Sequence, residues 1–435
     1  MKIRIAALAA VLVLMSSVAA AAASGDRVVF AVVMSRHGVR SFTHAPPEYS
    51  WPDWAPVAPG FLTGHGYRLI AEMGGFYRRA FAAEGLVMAC RDGDPFVYAD
   101  LDQRTLATGQ AFIEGACGAQ SAVPLYHDRD LAAGYDPLFD GADWLVQAGK
   151  IDAVSSLAAV SAAVPKPPSL LVERQAPEFA ALQALLDPRC SGACAPVASG
   201  TGSISAKKGL AQLTGPVDTA SEYAESLFLQ YAQCGPQLDT AKLAAAMRLH
   251  VLEYQINARN AYTPLVKGGN MFAHIVGLLE EKAGLPHPGV NVPDVHGAHV
   301  AIIAGHDTQL GAIGGILDAH WPLGGGMTGD DNPPGGALVF ELLRSGDEYR
   351  VRVRFGYETL DQYRRASPVD GGAAFSPVHF AGCAGDDCSV PLATFAATSQ
   401  QLIAKGFVQA DWTPMSDAPP QLAPLADPPW TACLP

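Results

Sequence analysis

Apolar residues gather along this chain in two rhythms. Positions 28–34 form an unbroken, valine-rich run, which predicts a strand buried on both faces, as in a parallel sheet. From 63 to 84 the apolar positions Tyr67, Ile70, Met73, Phe76 or Tyr77, and Phe81 recur at helical spacing. A short strand over 95–99 precedes a helix over 105–116, and a second buried strand at 300–304 leads into a glycine-rich helix over 308–319. Segments 337–343 and 349–355 read as paired strands, the second alternating Val with Arg.

The middle of the chain differs. Residues 136–265 hold few strand signals and several helical ones, clearest at 221–233 and 240–257, and 191–209 is loop-like, rich in Gly, Ser and Ala. The pattern predicts an α/β domain built from both ends of the chain, residues 24–135 and 266–435, with a mostly helical domain inserted at 136–265. No internal repeat is visible. The proline-rich stretch 413–429 reads as an extended tail on the surface.

Composition supports a large core: 49% of residues are hydrophobic and only 16% charged, which excludes a disordered chain. Lys2 and Arg4, the apolar run 6–15 and the small residues 19–23 read as a secretory signal, so 1–23 is taken as a cleaved leader and the protein as periplasmic or secreted. No later segment reads as a membrane span. The eight cysteines then point to disulfides. Cys90 with Cys117, Cys190 with Cys194, Cys383 with Cys388 and Cys234 with Cys433 form one pairing compatible with the spacing, which leaves the connectivity open. The formal charge is −13, and loss of Lys2 and Arg4 makes it more negative still. That disfavours nucleic acid and anionic membranes as partners. A phosphate site on such a body has to be a focused cluster of cations. Oligomeric state leaves no mark on the sequence, and a monomer is the default.

Three short motifs follow strands. Arg36-His37-Gly38-Val39-Arg40 comes directly after the first strand, and open α/β sheets bind ligands outside the carboxyl ends of their strands. Arg36 and Arg40 can fork onto phosphate oxygens, Gly38 lets backbone approach a ligand, and a neutral His37 can attack phosphorus. Gly305-His306-Asp307-Thr308 follows the second buried strand and opens a helix. Asp307 alone reads as a helix cap, but its matching position makes it a candidate proton donor, with His306 as a hydrogen-bonding partner of phosphate. Burial and a bound dianion raise the Asp307 pKa, whereas arginines and the helix N-terminus lower it. Asp100-Leu101-Asp102-Gln103-Arg104-Thr105 again joins a strand to a helix. Asp100 and Gln103 have capping-box spacing, and Arg104 falls in the first helical turn, where anions are attracted. Neither a P-loop nor a His-Glu-x-x-His string is present.

These motifs make the chain resemble the histidine acid phosphatase family, in the branch of bacterial periplasmic phytases and glucose-1-phosphatases. The resemblance runs from about Val28 to Cys433 and is thinnest over 140–215. It also takes in the segment 51–66, the Asn332-Pro333-Pro334-Gly335-Gly336 loop and the Ala381-Gly382-Cys383 segment. It implies a phosphoglycerate-mutase-like fold: a three-layer αβα sandwich with a mixed, largely parallel sheet, plus the helical insertion. It implies hydrolysis of a small phosphate monoester, such as phytate or a sugar phosphate, through a phosphohistidine on His37. Asp307 would be proton donor, and Arg36, Arg40, Arg104 and His306 would clamp the phosphate. Thr43, His44 and Glu225 fall where substrate-pocket residues lie. No metal or other cofactor is implied. One departure is Phe42, where the family has Pro, so the loop is either less rigid or its mouth reshaped.

Three rival readings remain. Asp100 and Asp102 after a strand also suit a magnesium-dependent phosphatase with an aspartate nucleophile, although Arg104 stands where that motif has Thr or Val. An exported phosphate-ester binding protein on the same fold would bind without turnover. A mutase would move phosphate between substrate positions.

Overall fold

The computed structural model describes residues 26–46, 48–91, 93–128, 135–365, 375–383, 385–415 and 425–432. The leader assigned to 1–23 and the second half of the Cys234–Cys433 pairing lie outside them. The first part of the chain gives β1 (Arg27–Arg36), α1 (Gly64–Ala83), β2 (Phe96–Ala99), α2 (Gln103–Cys117) and β3 (Leu125–Asp128). The middle gives α3 (Gly141–Gln147), α4 (Ala153–Ala163), α5 (Leu170–Arg174), α6 (Ala176–Leu186), the hairpin β4 (Ser203–Lys207) and β5 (Leu210–Thr214), then α7 (Pro216–Ala232), α8 (Thr240–Asn257) and α9 (Thr263–Ala283). The last part gives β6 (Val300–Gly305), α10 (Asp307–Leu317), β7 (Ala337–Ser345), β8 (Glu348–Gly356), α11 (Leu360–Arg365), β9 (Phe375–Pro377), β10 (Ser389–Pro391), α12 (Leu392–Ala404) and β11 (Pro414–Met415).

One nine-stranded sheet runs β10-β8-β7-β1-β6-β2-β3-β11, with β9 also on β8. β1, β6, β2 and β3 are mutually parallel. All pairings outside that set are antiparallel. The sheet is therefore mixed as expected, but parallel only in the half that carries the motifs; the rest is built from hairpin and edge strands.

The apolar run at the start is explained by burial on both faces. Val28, Ala31 and Val33 pack with Ile70, Met73 and Phe112 of α1 and α2 on one side. Phe30, Val32 and Met34 pack with Ile275, Ile313 and Phe395 of α9, α10 and α12 on the other. Helices on both faces make three layers. The second core continues into the middle of the chain through Leu182, Leu227 and Leu249, so the sheet and the helical part share one apolar interior.

Two local expectations change. The stretch 191–209 is not all loop, because residues 203–207 form β4 against β5. β4 is short and mostly exposed, so it lacks an apolar rhythm. Its turn is marked by Lys208 and Gly209, both at positive φ (52° and 80°), as a two-residue hairpin requires. Cys90–Cys117, Cys190–Cys194 and Cys383–Cys388 are disulfides. The tail expected over 413–429 does more than lie on the surface where it is described. β11 extends the sheet beside β3, and the Asp427 carboxylate receives the backbone N–H of His65 at 2.6 Å and Arg68 at 3.0 Å. An anion is thereby placed at the N-terminus of α1.

Candidate active site

The three motifs meet because their strands are neighbours. In the order β1-β6-β2, parallel pairing puts all three carboxyl ends on one edge. The backbone stitches the loops together: His37 N–H donates to the Gly305 carbonyl at 2.8 Å, and Asp100 N–H to the Ala304 carbonyl at 3.1 Å. Arg36 N–H donates to Gly336 at 2.9 Å, and Gly335 N–H to the His37 carbonyl at 3.0 Å. The 332–336 loop thus joins the same edge. Gly38 is required by closeness, since a Cβ there would stand 2.7 Å from Ile70 and 3.0 Å from the Gly66 carbonyl.

His37 is buried, 2% exposed, and its Nδ1 lies 2.9 Å from the Gly38 carbonyl. A carbonyl only accepts, so Nδ1 carries the proton and Nε2 keeps its lone pair. Burial, and then Arg36, Arg40, His306 and Arg104, hold the pKa of His37 well below the ordinary histidine value. The ring is therefore neutral across mildly acidic pH. The His306 ring centre is 5.6 Å away.

Arg36 is held through both terminal nitrogens, while its buried Nε has no partner among the described residues. It donates to the Asn332 carbonyl at 2.6 Å, to Glu225 of α7, and to Asp307 Oδ2 at 2.8 Å. Burial opposes its charge, but Asp307 and Glu225 outweigh that and raise its pKa. Arg40 approaches the same Glu225 oxygen at 3.7 Å. Arg104, on the first turn of α2, pairs with Asp102 at 2.6 Å. Glu225 therefore sits on two of the guanidinium groups as their counter-ion. Its pKa is held down by Arg36 and Arg40 against the upward push of burial.

The helix caps differ from the sequence expectation in a useful way. His306, not Asp307, is the N-cap of α10. Its side chain accepts from the backbone of Gln309, whose side chain returns the bond. Asp307 is released to face Arg36. The His306 Nε2 lies 2.6 Å from Asp100 Oδ2, which assigns the ring proton to Nε2. On α2 the cap is Asp102, without a side-chain cap bond. Asp100 and Gln103 form no capping box: Asp100 turns to His306, and Gln103 accepts from Leu62 N–H at 2.8 Å. In the free site burial pushes the Asp307 pKa up, but Arg36 and His306 outweigh that and leave it below the usual carboxylate range.

Thr43 is brought to the rim only. A Cβ built on Gly60 would stand 3.3 Å from Thr43 Cγ2 and 3.7 Å from Arg104 Nη1, so both side chains lie near that glycine. His44 reaches from the same loop to Glu222 of α7 at 2.7 Å. Phe42 is buried, with its ring 5.5 Å from Trp51 and 5.0 Å from Trp54. It anchors the loop by aromatic packing where the family pattern has proline.

Several contributors escaped sequence reasoning. Tyr254 and His250 of α8 stand within electrostatic reach of Asp307 and Glu225, and the Asn332 contribution is a main-chain carbonyl. Helical spacing could mark one face of α8 as polar but not what it faces. His250 is buried and bonded to Ser221 at 2.9 Å, close to the clamp although not in it. Asp100, Asp102 and His306 offer ligand atoms within 4.8 Å of one another, as do Glu281, Asp294 and His296 elsewhere. At the first cluster Arg104 and the His306 N–H already supply the positive partners.

Residues 27–147 match the model of the histidine phosphatase superfamily, branch 2. Phytase AppA of Escherichia coli is 32% identical over 382 residues, 78% of this chain and 82% of that protein. A glucose-1-phosphatase of Salmonella typhimurium is 33% identical over a shorter stretch, 25% of this chain and 28% of that protein. The Hafnia alvei phytase, solved with myo-inositol hexakis sulphate, superimposes with TM-score 0.75 at 30% identity over 87% of this chain and 97% of the other. Fold, site and relatives agree: the chain belongs to branch 2 of the histidine phosphatase superfamily and is a phosphoric monoester hydrolase.

Proposed function

We propose that the protein is an exported acid phosphatase that cleaves phytate or sugar phosphates through a phosphohistidine on His37. The observation that supports this most is the His37 ring: neutral, with Nδ1 engaged by the Gly38 carbonyl and Nε2 free to attack among the guanidinium groups. Arg36, Arg40 and Arg104 would neutralise the phosphoryl oxygens as charge develops. The Nε2–P bond forms as the P–O ester bond breaks, and the leaving oxygen takes a proton from Asp307. Water then attacks phosphorus, the P–Nε2 bond breaks, and the Asp307 carboxylate takes the proton of that water. The donor is thereby restored. His306 would have to turn its Nε2 proton from Asp100, which holds it in the free site at 2.6 Å, to a phosphate oxygen when the ester binds.

For Asp307 to donate, it must first be protonated, and in the free site Arg36 keeps it ionised. A bound phosphate draws on Arg36 and weakens that hold, and an ester entering as its monoanion brings the proton with it. Export is supported by the leader-like start of the sequence and by the disulfides. Among the described residues no helix is long and apolar enough to cross a membrane. The aspartate-nucleophile alternative has its carboxylates committed elsewhere, Asp100 to His306 and Asp102 to Arg104. The test is direct. His37→Ala should abolish phosphatase activity, and chelators should leave the wild type unaffected. Substantial activity in His37→Ala, with loss on chelation or in Asp100→Ala, would refute the reading.

A further inference from the structure

The chain leaves α9 and re-enters the sheet at β6 through residues 284–299. This crossover lies at the edge opposite the arginine cluster. The motif residues follow the carboxyl end of β6 at Gly305, and Val300 at its start is about 17 Å away at about 3.3 Å per residue. There Glu281, Asp294 and His296 bring two carboxylates and an imidazole together, with ligand atoms all within 4.8 Å of one another. Glu281 Oε1 and His296 Nε2 stand 3.2 Å apart. Two ligands bound at about 2.0 Å to a tetrahedral zinc ion are about 3.3 Å apart, so this pair has the spacing that one shared cation requires.

The surroundings hold these groups from outside. His287 has Nδ1 2.9 Å from the Val290 carbonyl and Nε2 2.9 Å from Glu281 Oε2. Both partners accept, so His287 donates to Oε2 and orients the carboxylate with Oε1 toward His296, as an outer hydrogen-bond partner steadies a ligating carboxylate. Asp294 Oδ1 accepts the His296 backbone N–H at 2.9 Å, which sets the turn carrying both residues, and a carboxylate keeps further lone pairs for a cation. Lys282 donates to the carbonyls of His296 at 2.8 Å and Val295 at 3.4 Å, and to that of Ala298. The loop is thereby pinned to α9, and its ligands need little ordering to bind an ion. The place of Glu281 is an independent sign. It lies in the last turn of α9, where the carbonyl end of a helix disfavours a carboxylate and favours a cation.

We propose that Glu281 Oε1, Asp294 and His296 Nε2 form a structural site for a divalent cation of the zinc class, which fastens the end of α9 to the loop entering β6. Water completes the tetrahedron. Mixed imidazole and carboxylate ligands suit zinc and its first-row neighbours, whereas calcium takes oxygens. The ion acts on stability and not on phosphoryl transfer, so the site stands apart from the phosphatase reading.

The test uses the untagged enzyme, stripped with EDTA and dialysed, with zinc chloride as the probe at about pH 7.5, where the ligands are deprotonated. Binding is read by isothermal titration calorimetry and stability by melting curves. His296→Ala removes the imidazole, and Asp294→Asn removes a charge but keeps an oxygen for the turn; metal-free melting curves verify that both variants fold. The wild type should melt about 2 to 5 °C higher at saturating zinc. Zinc affinity should fall at least tenfold in both variants, and the rise in melting temperature should vanish in His296→Ala. A wild type whose melting zinc does not raise would overturn the proposal, leaving Glu281 and His296 an ion pair only. So would a His296→Ala protein that binds zinc as tightly as the wild type, which would put the ion elsewhere, for instance at Asp100, Asp102 and His306. Activity after EDTA is a separate readout: its loss would count against the proposed mechanism, because this site is read on melting and zinc binding alone.

Discussion

His37 and Asp307 carry opposite burdens although the same arginines surround both. Burial together with the guanidinium groups keeps His37 neutral, and Arg36 keeps Asp307 ionised against burial; the first effect prepares the nucleophile, and the second withholds the donor until phosphate arrives. The signs fix the pH profile. A depressed histidine pKa moves the acid limb below the usual value near 6.5, so kcat/KM should hold as pH falls through that value. The donor proton comes most readily with a monoanionic ester, so activity should decline above about pH 6, where phosphate monoesters lose their second proton. An acid limb near 6.5 would show that His37 is not desolvated as described. Depressed carboxylates give the matching stability statement: the contributions of Glu225 and Asp307 are present above the ordinary value near 4 and are lost as pH falls toward their lowered values. Asp307→Asn should cut kcat on alkyl phosphates by about 10²-fold or more. The loss should be much smaller on p-nitrophenyl phosphate, whose leaving group needs no proton. Equal losses on both would assign Asp307 to binding.

At the scale of elements, legibility followed burial. β1 and β6 were readable because they are covered on both faces, and the helix–strand alternation then placed the three motifs at strand ends. β4 was invisible because its side chains are mostly exposed. The switch of the α10 cap from Asp307 to His306 was also hidden, because both residue types can cap and only the path of the chain decides. The glycines of α1 and α2 record how closely those helices approach: a Cβ on Gly115 would overlap the Ala71 carbonyl oxygen. That packing supports the sheet face opposite α9, α10 and α12, and Gly115 lies about three turns along α2 from Arg104. Gly115→Ala should therefore destabilise the fold by about 1 to 3 kcal/mol in denaturant titrations, with KM little changed in the protein that remains folded. A stable variant with a raised KM would mean the α1–α2 pair shapes the site directly.

For the molecule as a whole, the site belongs to neither the sheet nor the helical part alone. Strand tips supply Arg36, His37, Arg40, Arg104, His306 and Asp307, and α7 and α8 close the other side with Glu225 and Tyr254. The sequence disclosed the first set by its position after strands, since strand ends converge in any sheet of this kind. Of the second it disclosed Glu225 through family likeness and Tyr254 not at all, because no local pattern says which helix face a distant sheet edge meets. The chain's net negative charge is compatible with phosphate chemistry because the cations are concentrated at one edge. The central claim is covalent transfer to His37, and rapid-quench capture of the enzyme with a ³²P-labelled ester at acid pH tests it most directly. One acid-labile, base-stable phosphoryl group per chain should appear on the peptide containing His37 and be absent from His37→Ala. Burst turnover with no labelled peptide, or label on Asp100, would contradict it.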